Sequence, residues 1–460
     1  MGCGASASLA VQINEAAHEE LEATCAALSS ADREKLALIL SGLDEARELE
    51  AEILEQEARL AQKDVSKEAG SPQVDGGRWE ELPDSYQAIS NTKFAEVLRR
   101  ECMVVIKTSY FTQCLKEGQA FADRSNIPAE FKYSGEEAFA NWEKYGNMFL
   151  VVLSYSWLSK KHPDPDLFHL QRLVPLLEEV QSLFRKAHAG LPELGIIIDY
   201  CSLWQNLSEE EDGDSRSAEQ YAEFLVGLKC INTPYAHQDV TAIKLTCTPL
   251  GEVRTYELRG WTFFESRVID GKGTGAIPRT NNWVIKDFLR HIDPGTLNVI
   301  VVDKDPLSGS GELNQFLYRN RSVPCLPNIF CEQLDARQLH ADQTGVRLFT
   351  SGKDQPFVKK KYEETYKKFL KTQVWDVSGL NVGTEYLKKL PDVLAQFLNL
   401  QELGVASNNI DDEGAISIAE IVAHSTTITN IDLANNQIGD DGAAALAKAL
   451  EVNASITNIV

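Results

Sequence analysis

The sequence predicts an α/β fold, with a parallel-sheet domain in the middle of the chain, a helical segment before it and a repeat solenoid after it. Between residues 147 and 305, apolar runs of strand length alternate with helical segments, an order typical of a parallel sheet with helices on both faces. From residue 373 onward, a pattern of apolar residues recurs at a fixed spacing, which indicates stacked structural repeats.

Composition limits the classes of function. The chain has 460 residues, of which 43% are hydrophobic, enough to build the cores of two or three domains. Its net charge of -23 repels phosphate backbones, so we expect no nucleic-acid partner. The nine cysteines form neither a Cys-x-x-Cys pair nor a cluster at zinc spacing, which predicts free thiols, a reducing compartment and no bound metal.

The first six residues predict attachment to a membrane. Met1 to Ser6 fit the Met-Gly-x-x-x-Ser/Thr pattern for myristoylation of Gly2, and Cys3 is placed for palmitoylation. One acyl chain binds only marginally, so a stable anchor needs both. With no secretory signal and no spanning segment, we expect a cytoplasmic protein, peripheral on the inner face of a membrane. The alternative is that residues 1–7 are only a small terminus.

Residues 8–66 predict a helical or coiled-coil segment. Ser29 and Ser30 with Asp32 form a helix cap, and an apolar stripe follows at helical spacing: Leu36, Ile39, Leu40 and Leu43. Such a stripe suits self-association through a hairpin or short coiled coil, or packing on the chain's own surface.

Two further regions lie before the sheet domain. Gly, Ser and Pro make residues 67–77 a linker. Residues 78–146 are expected to pack on the sheet domain as an N-terminal extension, with a strand over Met103–Ile106.

The elements of residues 147–305 follow from hydrophobic runs. After the strand that ends near Trp157, the loop from His162 to Asp166 holds two carboxylates, and we interpret it as a turn with a helix cap rather than a cation site. The predicted elements that follow are a helix over 167–187, a strand over 194–199, a helix over 217–229, a strand over 241–246, a helix around Trp261 and a strand over 297–303.

Polar residues end two of these strands. Ser154, Tyr155 and Trp157 close the first strand, and Asp199 closes the second, so they should meet at one edge of the sheet. Trp261 and Glu265 lie four residues apart, which places them on one helical face and makes Glu265 a candidate catalytic acid.

These motifs resemble those of the Toll/interleukin-receptor (TIR) domain, which has a flavodoxin-like fold. Leu153 to Trp157 is similar to the Ile-Ser-Tyr-Ser-Trp of bacterial members, Gly195 to Asp199 to their second strand, and Trp261-x-x-x-Glu265 to their Trp-x-x-x-Glu. The family's Ser before the Trp has no match here. The same motifs also resemble the fungal heterokaryon-incompatibility domain, through Leu153 to Trp157, Asp199 to Gln205 and Arg259 to Glu265.

The resemblance implies two alternative functions. Some TIR domains cleave the nicotinamide–ribose bond of NAD, which would make Glu265 the essential carboxylate and NAD a substrate rather than a cofactor. The residues near the nucleotide would then be Ser154, Tyr155, Trp157, Asp199 and Trp261. Other TIR domains only assemble with like domains, and in that case Glu265 is a surface residue.

The C-terminal region holds an internal repeat. Leu400-x-x-Leu403-x-Val405-x-x-Asn408 recurs as Ile428-x-x-Ile431-x-Leu433-x-x-Asn436. The pattern resembles leucine-rich repeats of the ribonuclease-inhibitor kind, in which the Asn side chain bonds the backbone at the bend after each strand. Residues 373–460 should therefore bind a protein ligand, with Trp375–Val382 as a degenerate first copy. Because two full repeats are few, we expect a truncated array or an edge covered by a partner.

A basic helix is predicted in the connecting region 306–372. Its lysines lie on an otherwise acidic chain, and we interpret them as a solvated face rather than a contact with lipid or with an acidic partner: Lys359, Lys360, Lys361, Lys367, Lys368 and Lys371.

Overall fold

The computed structural model describes residues 93–208, 213–272, 299–302, 324–349, 354–378, 390–397 and 399–460. The predictions for the lipidation motif, the helical segment 8–66 and the linker 67–77 lie outside these residues. In the described part of the chain, no helix is long and apolar enough to cross a membrane.

A five-stranded sheet forms the centre of the larger described unit. Its spatial order is β1-β3-β2-β4-β5, in which β1 is antiparallel to β3 and the other pairs are parallel. The strands are β1 (Ile106–Lys107), β2 (Leu150–Tyr155), β3 (Gly195–Ile197), β4 (Thr241–Leu245) and β5 (Val299–Val302). All residues of β2 to β5 are buried, as in a parallel sheet with both faces covered. The prediction of a parallel α/β sheet is confirmed.

Helices connect these strands. They are α1 (Lys93–Arg99), α2 (Thr108–Glu117), α3 (Gly135–Tyr145), α4 (Phe168–Ala187), α5 (Asp199–Ser202), α6 (Ala218–Lys229), α7 (Asn232–Ala236) and α8 (Gly260–Asp270). Short 3-10 turns occur at Arg124–Asn126, Ala129–Phe131 and Gly146–Met148. The helices predicted over 167–187 and 217–229 are confirmed within a residue or two.

The region before β2 shares one hydrophobic core with the sheet. Phe94, Phe111 and Trp142 are buried in the same cluster as the strands. The strand predicted over Met103–Ile106 is wrong for its first three residues, since β1 begins only at Ile106. Strand β3 has three residues, and β1 pairs with two of them, so the ladder between these strands is short.

Two helices follow β5 along the chain, α9 (Pro327–Thr344) and α10 (Asp354–Phe369). The prediction of a solvated basic face on the lysine-rich helix α10 is wrong at one position, Lys361. Lys361 is buried and donates to the backbone oxygen of Lys229 and to Glu364. Its neighbours Lys359 and Lys367 pair with Asp335 and Glu363. Burial of the Lys361 stem against the sheet domain, with both partners supplied, makes this position structural.

The C-terminal residues form a second parallel sheet of four short strands. The strands are β6 (Val374–Asp376), β7 (Glu402–Gly404), β8 (Asn430–Asp432) and β9 (Asn458–Ile459), and the helices are α11 (Leu390–Leu394), α12 (Asp412–His424) and α13 (Asp440–Val452). Trp375, Leu403, Ile431 and Ile459 lie in register across the sheet. The 28-residue offset between the two copies is thus an offset between neighbouring strands.

Two asparagine side chains join the repeats as predicted, Asn408 buried and Asn436 half-buried. The Asn408 side-chain amide donates to the carbonyl oxygens of Val377, Val405 and Ala406. The Asn436 side-chain oxygen accepts from the backbone of Asn408 and Ile410. Each asparagine therefore satisfies backbone groups at the bend after its strand, which would otherwise be buried without partners.

Candidate functional site

The candidate site lies at the carboxyl ends of β2 and β3. The four parallel strands lie in the spatial order β3-β2-β4-β5. The chain therefore leaves β2 toward β3 on one side and leaves β4 toward β5 on the other side, so the direction of the connections reverses between β2 and β4. Ligands of open α/β sheets bind outside the carboxyl ends of the strands at such a reversal. The polar residues that end β2 are therefore in the position where this architecture builds sites.

Glu265 contacts the end of β2 directly. Ser154 Oγ donates to Glu265 Oε2 at 2.5 Å and lies 2.6 Å from the Tyr256 hydroxyl. Ser154 and Tyr256 are buried, whereas Glu265 is partly exposed. The structure thus brings together the first and third sequence motifs, which are more than 100 residues apart in the chain.

The contact between Glu265 and Ser154 depends on where helix α8 begins and how it packs on the sheet. The helix begins at Gly260, where a Cβ atom would lie 2.1 Å from the Phe349 ring. One turn further along the sheet face, Lys244 of β4 bonds Ser266 at 3.0 Å and Asp270 at 2.6 Å. Since Lys244 pairs with Ser154 across the ladder, helix α8 is tied to two adjacent strands by polar contacts.

The environment of Glu265 favours its protonated form. Burial raises the pKa of this carboxyl from 4.5 to about 8, hydrogen bonds from Ser154 and Tyr235 oppose the rise, and the charge of Asp199 adds to it. Glu265 is therefore mainly neutral at pH 7. Such a raised pKa in an accessible carboxyl is common at functional sites.

Asp199 is bonded by two other predicted site residues, Tyr155 and Trp157. Its carboxylate accepts from the Tyr155 hydroxyl at 2.8 Å and from the Trp157 indole at 3.0 Å. Burial raises the pKa of Asp199, and these bonds with that of the Tyr200 amide counteract the rise. Arg259 donates to the Trp157 carbonyl at 2.8 Å and so connects this cluster to the start of α8.

The carboxyls of Glu265 and Asp199 are close enough to interact electrostatically. The charge of Asp199 raises the pKa of Glu265. Burial and the charges of both carboxyls raise the pKa of Tyr235 well above its ordinary value. The Tyr235 hydroxyl also bonds the carbonyl of Leu153. Both carboxyls thus have a pKa raised by burial and both accept hydrogen bonds, so two carboxyls with perturbed pKa values lie within the range of each other's charge at this strand end.

Trp261 is engaged elsewhere. Its indole donates to Asp354 at 3.0 Å and its ring packs on Phe264 and on Phe357 of α10. It is partly exposed rather than fully buried, so its proposed role near a nucleotide stays a prediction. Gly2 and Cys3 lie outside the described residues.

The acidic loop after β2 is a helix cap. Asp164 is fully buried and accepts from the backbone amides of His169 and Leu170 at the start of α4. The predicted turn and cap are confirmed. Within the described residues, no group of three or more His, Cys, Asp or Glu side chains is arranged to hold a metal.

Sequence reasoning missed Tyr235, Tyr256 and Lys244. Tyr256 lies just before the motif from Arg259 to Glu265, and no spacing rule connects it with Glu265. Tyr235 arrives from helix α7 and Lys244 from β4. Neither belongs to a pattern, because tertiary packing alone brings them to the site.

Comparison with known proteins supports the C-terminal assignment. A family model described as Leucine Rich repeat matches residues 398–419 and 424–447. Residues 398–447 thus carry leucine-rich repeats, which suggest protein–protein interaction. The comparison with curated proteins gives no match.

One similar solved structure is the actin-binding site 2 of Leiomodin-1. It is 25% identical over 19% of this chain and 51% of that chain, with a TM-score of 0.18. The chain thus spans about half the length of that structure. So low a TM-score carries no argument about fold or partner.

Proposed function

We propose that this chain is an intracellular signalling or sensor protein whose central domain cleaves the nicotinamide–ribose bond of NAD, with Glu265 as the essential carboxylate. The observation that carries the proposal is the contact of Glu265 with Ser154 at the strand reversal, close enough to Asp199 for their charges to interact. The four parallel strands follow the order 2-1-3-4, as the first four strands of the flavodoxin-like order do, while β1 is an antiparallel edge strand. This partial match supports the proposal.

The chemistry follows from charge. The nicotinamide ring of NAD is cationic, so its binding near Glu265 lowers the carboxyl pKa and favours the carboxylate. As the bond breaks, its electron pair leaves with neutral nicotinamide and positive charge develops on the ribose, where a carboxylate stabilises the oxocarbenium-like state. Water then adds to the ribose carbon and loses a proton, which completes the hydrolysis. Asp199 accepts hydrogen bonds from Tyr155 and Trp157, and we propose that it also accepts them from the ribose hydroxyls.

The test is nicotinamide release from NAD by the full chain, both free and clustered through a fused dimerising domain. We expect release by the wild type and a loss of about 10²-fold or more in Glu265→Gln, which keeps the shape but removes the charge. Glu143→Gln, an exposed carboxylate on α3, is the matched control and should retain the activity. No release by either wild-type form would leave assembly of like domains as the function of this region.

The repeats are proposed to bind a protein partner on their strand face. Glu402 and Asp432 are exposed there, and Asn430 and Asn458 share a row with Glu402. An acidic strand face favours a basic partner segment. Peptides selected on the full chain should be rich in Lys and Arg and should lose binding to Glu402→Lys/Asp432→Lys. Glu451→Lys, exposed on α13, should leave binding unchanged.

A further inference from the structure

Three arginines lie together beside the candidate site. Arg254 and Arg259 belong to the loop between β4 and α8, and Arg172 belongs to the N-terminal half of α4. Arg172 and Arg259 are buried, and Arg254 is half-buried. We call these three residues the arginine cluster. Arginine is rarely buried unless its charge is balanced, so the cluster is a place where a negatively charged ligand would be stabilised.

Backbone contacts place the cluster at the carboxyl end of β2. Arg259 donates to the carbonyl oxygen of Trp157 at 2.8 Å, and its Nε donates to the carbonyl oxygen of Arg254 at 2.9 Å. His169 Nε2 donates to the carbonyl oxygen of Ser156 at 2.7 Å. Arg259 and His169 therefore bond two consecutive carbonyl groups directly after the strand.

Like charges oppose one another in the cluster. Burial and the charge of Arg254 lower the pKa of Arg259 to about 10, against the opposing effect of Glu252, whose carboxylate lies 3.6 Å away. A second carboxylate of this region, Asp164, bonds the backbone amides at the start of α4. A bound anion would stabilise the charged form of Arg259, because it adds an attraction that offsets the repulsion between the cations.

Three buried polar atoms of this region have no partner in the described part of the chain. They are Ser156 Oγ, His169 Nδ1 and Arg254 Nε. Burial and the charges of Arg172 and Arg259 lower the pKa of His169, so its ring is neutral and Nδ1 is a hydrogen-bond acceptor. Ser156 and Arg254 can instead donate. The region therefore suits a ligand that has anionic oxygens and also a hydroxyl group.

We propose that the arginine cluster binds the phosphate groups of a nucleotide, with Ser156 as a further donor and His169 as the acceptor for a sugar hydroxyl. Guanidinium groups bind phosphate oxygens through paired, charge-assisted hydrogen bonds. The phosphates of a nucleotide supply the anionic oxygens, and its sugar supplies the hydroxyl. The proposal concerns binding and does not depend on NAD cleavage.

The cluster is near enough to Glu265 for one ligand to contact both. Arg259 immediately precedes helix α8, and Glu265 follows it by six positions, which is about 9 Å along the helix axis. A nucleotide whose phosphates contact Arg259 can therefore place its sugar near Glu265. A shared ligand at Glu265 rests on the proposed function, whereas phosphate binding at the cluster does not.

Isothermal titration calorimetry of the full chain with ADP-ribose tests the proposal. ADP-ribose has two phosphates and sugar hydroxyls but no nicotinamide, so the titration measures binding without NAD cleavage. We expect Arg254→Gln to weaken binding by about tenfold or more, because it removes a charge-assisted contact. Arg254→Lys keeps the charge and should recover part of the affinity. Arg100→Gln, at an exposed arginine after α1, is the matched control and should bind like the wild type.

Two further measurements separate a binding role from a structural one. Thermal unfolding should show Arg254→Gln to be as stable as the wild type, because Arg259 bonds the backbone oxygen of Arg254, which the substitution keeps. Ser156→Ala, which removes only a hydroxyl, is a second variant that should also weaken ADP-ribose binding.

Inorganic phosphate is the second ligand of the titration, and we expect it to bind at least about tenfold more weakly than ADP-ribose. Equal affinity for inorganic phosphate and ADP-ribose would overturn the assignment to a nucleotide. No binding of ADP-ribose at millimolar concentration, or the same affinity in the wild type, Arg254→Gln and Ser156→Ala, would overturn the proposal as a whole.

Discussion

At the residue scale, Glu265 combines burial with partial access. Burial raises its pKa to about 8, while hydrogen bonds from Ser154 and Tyr235 keep its carboxyl oriented. Burying this carboxyl lowers the stability of the folded state at neutral pH, because the folded protein must either keep the proton or bury a negative charge. A carboxyl with such a raised pKa is common at functional sites, which supports the role proposed for Glu265.

Glu265→Gln should stabilise the protein at alkaline pH. The folded-state pKa lies above the unfolded value of 4.5, so the folded protein retains a proton that the unfolded chain releases. This contribution is complete below pH 4.5 and is lost as the pH rises to about 8. Allowing for partial exposure, we expect the variant to gain about 2 to 3 kcal/mol at pH 8.5 relative to pH 5. Urea unfolding at both pH values measures it, and an equal effect at both would contradict the raised pKa.

The grouping of site residues could be predicted only in part. Strand alternation and strand ends place Ser154, Tyr155 and Asp199 at one edge of the sheet, and the structure has them there. Helical spacing predicted that Trp261 and Glu265 share one helical face, and it could not predict that the Trp261 indole bonds Asp354. That contact joins residues 93 positions apart, and no local pattern encodes it.

At the element scale, the elements with the clearest periodicity were predictable. The repeat strands and helices follow from a regular spacing, and β2 from an apolar run. The start of the two-residue strand β1 was not predictable, because β1 pairs with β3 at only two positions and the apolar run before Ile106 does not mark where that pairing begins. Short elements set by neighbours carry little signal of their own.

Asn408→Ala should destabilise the repeat module. The side chain is fully buried and donates to three backbone carbonyls, so its removal leaves acceptors without partners. We expect a loss of about 2 to 4 kcal/mol. Thermal unfolding of the full chain should show the C-terminal transition at lower temperature, with no such change in the exposed Thr426→Ala control. Unchanged unfolding in Asn408→Ala would show that the asparagine contacts are not needed.

At the scale of the whole molecule, two hydrophobic cores are present in the described residues. One contains the sheet domain with residues 93–149, and the other contains the repeats. A site on the first and a binding surface on the second suit a protein in which partner binding and chemistry are separate tasks. The composition of the chain indicated several domains, but not which of them share a core.

The proposed membrane tether also belongs to this scale. Gly2→Ala should move the full chain to the soluble fraction, and Cys3→Ser should weaken retention, because one acyl chain binds only marginally. Cell fractionation with metabolic labelling by a myristate analogue measures both effects. Equal membrane partition of wild type and both variants would remove the anchor.

The pH dependence of nicotinamide release from NAD tests the central claim most directly. The value of kcat/KM reports groups of the free protein, so the rate should rise about tenfold per pH unit below about 8 and level off above it as Glu265 ionises. In Glu265→Gln, the residual rate should lack this rise. A wild-type profile that is flat or falls through pH 8, the same profile in both proteins, or no nicotinamide release at all would contradict the account.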